Sequence, residues 1–162
     1  MLAAGTRIVE NGSFYIYTVF LLVYVTDHVG LSRNVILDAM LGASLVELFV
    51  IPAFGALTDR IGRRPVFLFG ALFTAAFAFP LFWMLDTGSV VLVWVAMFCA
   101  LLLSHAPLYA PQGAFLPELF GTRVRYSGAS LGAQLSSVVA GGLSPFMATA
   151  LLARYGRAAL AL

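Results

Sequence analysis

The sequence predicts an all-α polytopic membrane protein of five transmembrane helices. Three observations carry that expectation: a composition too apolar for water, runs long enough to cross a bilayer, and short polar turns between them. Of the 162 residues, 62% are hydrophobic and only 10% are charged, against about a quarter charged in an ordinary soluble domain. So little polar surface cannot coat a soluble particle of this size, whereas lipid tolerates it.

A hydrocarbon core about 30 Å thick takes roughly 20 helical residues. The first span is expected at about 7–26, closed by Asp27, His28 and Gly30. The second, at about 35–58, is closed by the charged turn Asp59-Arg60-Ile61-Gly62-Arg63-Arg64. Pro65 opens the third, at about 65–85, because proline suits the first helical position. The polar turn Asp86-Thr87-Gly88-Ser89 follows, then a fourth span at about 90–111, interrupted by Pro107 and Pro111. After Glu118 and the basic turn Arg123-Val124-Arg125, the fifth runs at about 126–153. The whole chain reads as one membrane domain. Met1 to Gly5 carries no basic stretch, so the N-terminus does not read as a signal peptide.

All nine basic residues are arginine. Six of them, Arg7, Arg60, Arg63, Arg64, Arg123 and Arg125, fall on one side; Arg33, Arg154 and Arg157 fall on the other. The excess predicts a cytoplasmic N-terminus in a multi-pass cell (inner) membrane protein. A net charge of +2 does not point to a nucleic-acid partner. Cys99 alone forms no internal disulfide. No metal site is expected, and no cofactor. With no H-E-x-x-H and no activated-nucleophile motif, no enzyme is expected either.

The third span has no charged residue and many aromatics, and is expected to face lipid or other apolar helices. The other four carry polar stripes at helical spacing. Asn11, Tyr15 and Thr18 share a face of the first span, and Ser44 and Glu47 a face of the second. His105, Tyr109 and Gln112 share one in the fourth, and Ser130, Gln134, Ser137 and Gly141 one in the fifth. Four such stripes suggest a bundle around a polar path. Intramembrane ionisable groups cost roughly 3 kcal/mol or more at a helix centre, which singles out Glu47 and His105, with Glu10 nearer one end. Each is a candidate for proton coupling or substrate contact, or for a buried hydrogen bond between helices. No arginine lies deep in these spans, so a cationic anchor for an anionic substrate is expected from elsewhere. Gly128 and Gly132 form a G-x-x-x-G that allows close helix approach, and Gly141, Gly142 and Pro145 allow bending.

The turn Gly55-Ala56-Leu57-Thr58-Asp59-Arg60-Ile61-Gly62-Arg63-Arg64 resembles the G-x-L-[ST]-D-R-x-G-R-R signature of the major facilitator superfamily. Glu118 and Arg125 resemble its E-x6-R element after the tenth helix. Arg125-Tyr126-Ser127-Gly128-Ala129-Ser130 is similar to the R-Y-S-G-x-S of the metabolite/proton symporter branch, as are Glu10-Asn11-Gly12 and Tyr109-Ala110-Pro111-Gln112. That branch includes permeases for shikimate, dicarboxylates, citrate, aromatic acids and betaines. The resemblance covers residues 7–155 and aligns with helices seven to eleven. It therefore implies part of a six-helix bundle from which the N-terminal half of the transporter and a twelfth helix are missing. It implies a proton-coupled symporter of small organic solutes working by alternating access, with the proton as coupling ion and the lipid bilayer, an organic solute and the other half as partners. Glu118 and Arg125 would join Asp59, Arg60, Arg63 and Arg64 in cytoplasmic gate salt bridges. Gly121 stands where much of the family has proline. A small self-assembling membrane protein, or an inactive truncated product, stays open as an alternative.

Overall fold

A computed structural model describes residues 2–113 and 125–155. Four of its helices are long and apolar enough to cross a membrane: Gly5–Val29, Arg33–Ile61, Arg63–Asp86 and Val90–Tyr109. These are called the first to fourth spans. A fifth helix, Arg125–Tyr155, has 31 residues, a length of about 46 Å at 1.5 Å per residue. Each helix overlaps its expected range, and most extend it by a few residues. Residues 114–124, with Glu118, Gly121 and Arg123, lie outside the described part.

The turns between spans are short, and each turns on a glycine with positive φ. Gly30 (φ 79°) ends the first span in the left-handed conformation, a common helix terminator. Gly62 (φ 91°) separates the second span from the third, as the charged turn leads one to expect. The third helix starts at Arg63 rather than at Pro65, so the proline sits within its first turn.

Two spans are not uniform α-helices. The first has π turns at Ile16–Phe20 and Val25–Val29, and the fourth has one at Ala100–His105. In each π turn of the first span a threonine hydroxyl takes a carbonyl four residues back, Thr18 that of Phe14 and Thr26 that of Leu22, both at 2.8 Å. Such back-bonding competes with the helical ladder and bends it. In the fourth span Pro107 follows the π turn. A regular helix would drive its ring into the carbonyl of Leu103, and the wider turn relieves that crowding.

The fourth span is the centre of the bundle, packed against the first, second and third. Phe20, Leu21, Tyr24, Ile36, Leu85, Val93, Met97 and Leu101 form the apolar core between these spans. Close approach of the third and fourth spans requires Gly70, where a Cβ would meet Leu108 and Pro107 at 3.0–3.1 Å. The fifth helix packs along the first. There a Cβ on Gly141 would reach Cε2 of Tyr15 at 2.5 Å, so only glycine fits without displacing the ring. Gly142 faces open space. Gly128 and Gly132 lie in the same helix.

The third span is not the plain apolar helix its composition predicts. Thr74 donates to the carbonyl of Gly70 at 2.7 Å and meets Ser104 at 2.5 Å, and Ser104 meets Tyr17 at 2.9 Å. A carbonyl cannot donate, so the direction is fixed: Tyr17 donates to Ser104, Ser104 to Thr74, and Thr74 to Gly70. The chain of hydroxyls ties three spans together and leaves no donor over.

Candidate functional site

Three of the buried polar residues meet at one point. Glu10 in the first span, Glu47 at the middle of the second and His105 in the fourth are exposed by only 3%, 7% and 6%. Nδ1 of His105 lies 2.6 Å from Oε1 of Glu47, and Nε2 lies 3.3 Å from Oε1 of Glu10. Arg7, one turn before Glu10, donates from Nη1 to Oε2 of Glu10 at 3.0 Å. The result is a continuous chain, Arg7–Glu10–His105–Glu47, across three spans. His105 closes the π turn Ala100–His105, and π turns are frequent at functional sites.

The contacts limit how protons can be arranged. Both ring nitrogens face carboxylate oxygens, and a neutral imidazole has one N–H. With both carboxylates ionised and the ring neutral, one contact sets a bare nitrogen against an anion. One additional proton, on the ring or shared with a carboxylate, makes both contacts hydrogen bonds. The charges then sum to zero: Arg7 and the imidazolium against Glu10 and Glu47. Without that proton the buried cluster carries one net negative charge.

Other expected site residues are placed differently. Asn11 donates to the carbonyl of Arg7 at 3.1 Å and Thr18 to that of Phe14, so their stripe is partly spent on its own helix. Tyr15 rests on Gly141. Ser44 is exposed although Glu47, three residues on, is buried. Tyr109 stacks on His105 at 5.5 Å between ring centroids. Gln112 is buried and donates to the carbonyl of Leu108 at 3.1 Å, while its Oε1 has no partner among the described residues. In the fifth helix Gln134 is exposed and Ser137 half-buried; neither joins the cluster. Asp59 and Arg60 end the second helix and are exposed, and Arg63 (half-buried) and Arg64 (exposed) begin the third. Glu118 lies outside the described residues, and Arg125 is placed only as the start of the fifth helix.

Arg7 is the site member that the sequence assigns only to topology. It lies inside a span and reaches inward to Glu10, and its spacing of three from Glu10 is the available signal. Ser104 and Thr74 carry no comparable signal, since single hydroxyls are common in membrane helices.

The Major Facilitator Superfamily profile matches residues 4–161. The chain belongs to the major facilitator superfamily. Its similarity extends to individual members. It is 38% identical over 148 residues to the shikimate transporter of Escherichia coli (strain K12), covering 90% of this chain and 33% of that protein. It is 33% identical over 154 residues to an inner membrane metabolite transport protein of the same organism, covering 92% and 35%. It is 27% identical over 148 residues to a proline/betaine transporter of Salmonella typhimurium, covering 89% and 28%. The chain thus spans about a third of the length of these curated relatives. No solved structure matches it significantly. Membership of the superfamily, with four described helices able to cross a bilayer, makes this a multi-pass membrane protein of a transporter family.

Proposed function

We propose that this major facilitator chain is the C-terminal part of a proton-coupled symporter, with His105, Glu47 and Glu10 carrying the coupling proton. The observation that supports it is the bridge of one imidazole between two buried carboxylates from different spans. Closing the bridge takes up one proton, and opening it releases one. A conformational cycle that alternately makes and breaks the bridge therefore couples proton movement to alternating access.

The substrate class is a small organic solute bearing a carboxylate. Shikimate, proline and betaine, in the names of the relatives, share that group. Tyr15, Tyr109, Gln112, Gln134, Ser137 and Ser44 remain candidates for the path wall, whose other side comes from the rest of the transporter. The coupling ion is the proton, and no other cofactor is required. The arginine-rich turn at 59–64 faces the cytoplasm in the inner membrane, with the N-terminus on the same side. Asp59, Arg60, Arg63 and Arg64 serve there with Glu118 and Arg125 as a gate that breaks in one conformation.

The test is uptake of labelled shikimate, proline and glycine betaine by proteoliposomes holding the complete reading frame that contains this sequence. An outward-acidic gradient should drive accumulation of at least one probe, and a protonophore should abolish it. Uptake of a probe that ignores the gradient would refute proton coupling, and uptake of none would refute the substrate class.

A further inference from the structure

Two uncharged rings complete the surroundings of His105. The Phe14 centroid lies 4.8 Å from that of the imidazole, with the planes tilted by 39°. Tyr109 stacks at 5.5 Å and 29°. Phe14 stands four residues after Glu10 in the first span, and Tyr109 four residues after His105 in the fourth, so each projects beside a member of the cluster. Both lie within about 6 Å, the range in which an aromatic face attracts a cation. A neutral imidazole gains only packing from such rings. An imidazolium gains packing and the attraction of the ring quadrupole.

We propose that Phe14 and Tyr109 are positioning residues that hold the His105 ring between Glu10 and Glu47 and set the pH at which the cluster exchanges its proton. The inference rests on the coupling role assigned to His105 above. Several groups face His105: Glu10, with Arg7 behind it, from the first span; Glu47 from the second; and Tyr109 from its own span. The ion pairs of His105 run to Glu10 and Glu47. Phe14 is itself held in place. Its ring meets Tyr15 edge to face at 5.9 Å, and Tyr15 lies against Gly141 of the fifth helix.

The experiment measures the pH dependence of uptake in proteoliposomes holding the complete reading frame, with whichever of labelled shikimate, proline or glycine betaine it carries. Phe14→Leu should move the pH of half-maximal uptake toward acid by about 0.4 to 1.5 units, the equivalent of one ring–cation contact. Phe14→Tyr should restore the native midpoint. Tyr109→Leu should shift it in the same direction and Tyr109→Phe should not, because the ring and not the hydroxyl is at work. Tyr109 is 44% exposed, so its variants decide the matter if Phe14→Leu fails to reach the membrane. Uptake lowered by one factor at every pH, with the midpoint unmoved, would overturn the role of the rings. His105→Gln separates the two claims. Gradient-driven accumulation that survives it removes the coupling role itself. Its loss, together with an unmoved midpoint in the leucine variants, removes only the rings.

Discussion

Replacing Glu47 by glutamine should uncouple the transporter without dismantling it, and the cluster's geometry says why. In the native cluster, losing the proton leaves one uncompensated charge in an apolar interior, costing about 3 kcal/mol or more. It also turns a charged hydrogen bond into a repulsive contact, worth about 1.5–3 kcal/mol more. Both effects work against closing the cluster without its proton. In Glu47→Gln the amide N–H can donate to Nδ1 of His105 while Nε2–H donates to Glu10. The cluster is then neutral and fully bonded with no extra proton, so its closure no longer consumes one. In proteoliposomes with one pH unit across the membrane and the potential clamped to zero, one-proton coupling accumulates solute up to about tenfold. The variant should equilibrate at about equal concentrations, while exchange of labelled for unlabelled solute continues. Tenfold accumulation in Glu47→Gln would refute the proton count and with it the role of the bridge.

Three further outcomes test the architecture. Thr74→Val keeps shape but leaves the Ser104 hydroxyl without its buried acceptor, which should cost about 1–3 kcal/mol; thermal unfolding in detergent should show a lower midpoint, and an unchanged one would count against the hydroxyl chain. Gly141→Ala should destabilise the packing of the first and fifth helices by about 1–3 kcal/mol because its Cβ meets the Tyr15 ring, whereas Gly142→Ala, facing open space, should cost nothing; equal effects in the same unfolding assay would contradict this packing. Arg7→Gln removes the positive charge that balances Glu10, so the closed cluster should need a second proton for neutrality, and the proton-to-solute ratio, measured from paired uptake of solute and protons, should rise.

The spans were legible because burial in lipid constrains a whole run of residues at once, and twenty apolar positions are hard to mistake. The meeting of side chains was not, because a stripe on one helix says nothing about which neighbour it faces. Glu47 and His105 stood out by the cost of placing them in the bilayer, and Glu10 by its charge, yet nothing in the spacing joined them across three spans. The π turns add a specific reason. Each inserts an extra residue into the helical repeat and rotates the rest of the helix by about 100°, so a stripe counted at i, i+4 and i+7 loses its phase. Tyr15 and Thr18 straddle the start of such a turn, and Thr18 bonds its own backbone instead of sharing a face with Asn11. Thr74 was hidden for a simpler reason: one hydroxyl among many phenylalanines leaves the helix apolar on average.

The glycine turns have a mechanical consequence. Three residues separate the first span from the second, Gly62 alone separates the second from the third, and three separate the third from the fourth. Such connections hold little slack, so sliding neighbouring spans past one another by a helical step of about 5.4 Å would stretch them nearly straight or unwind an end. Displacement in the bundle is left with two modes. The spans can swing together, or length can be taken up inside a span. The fourth span has one place suited to the second mode, the wide turn at Ala100–His105, which ends on His105 itself.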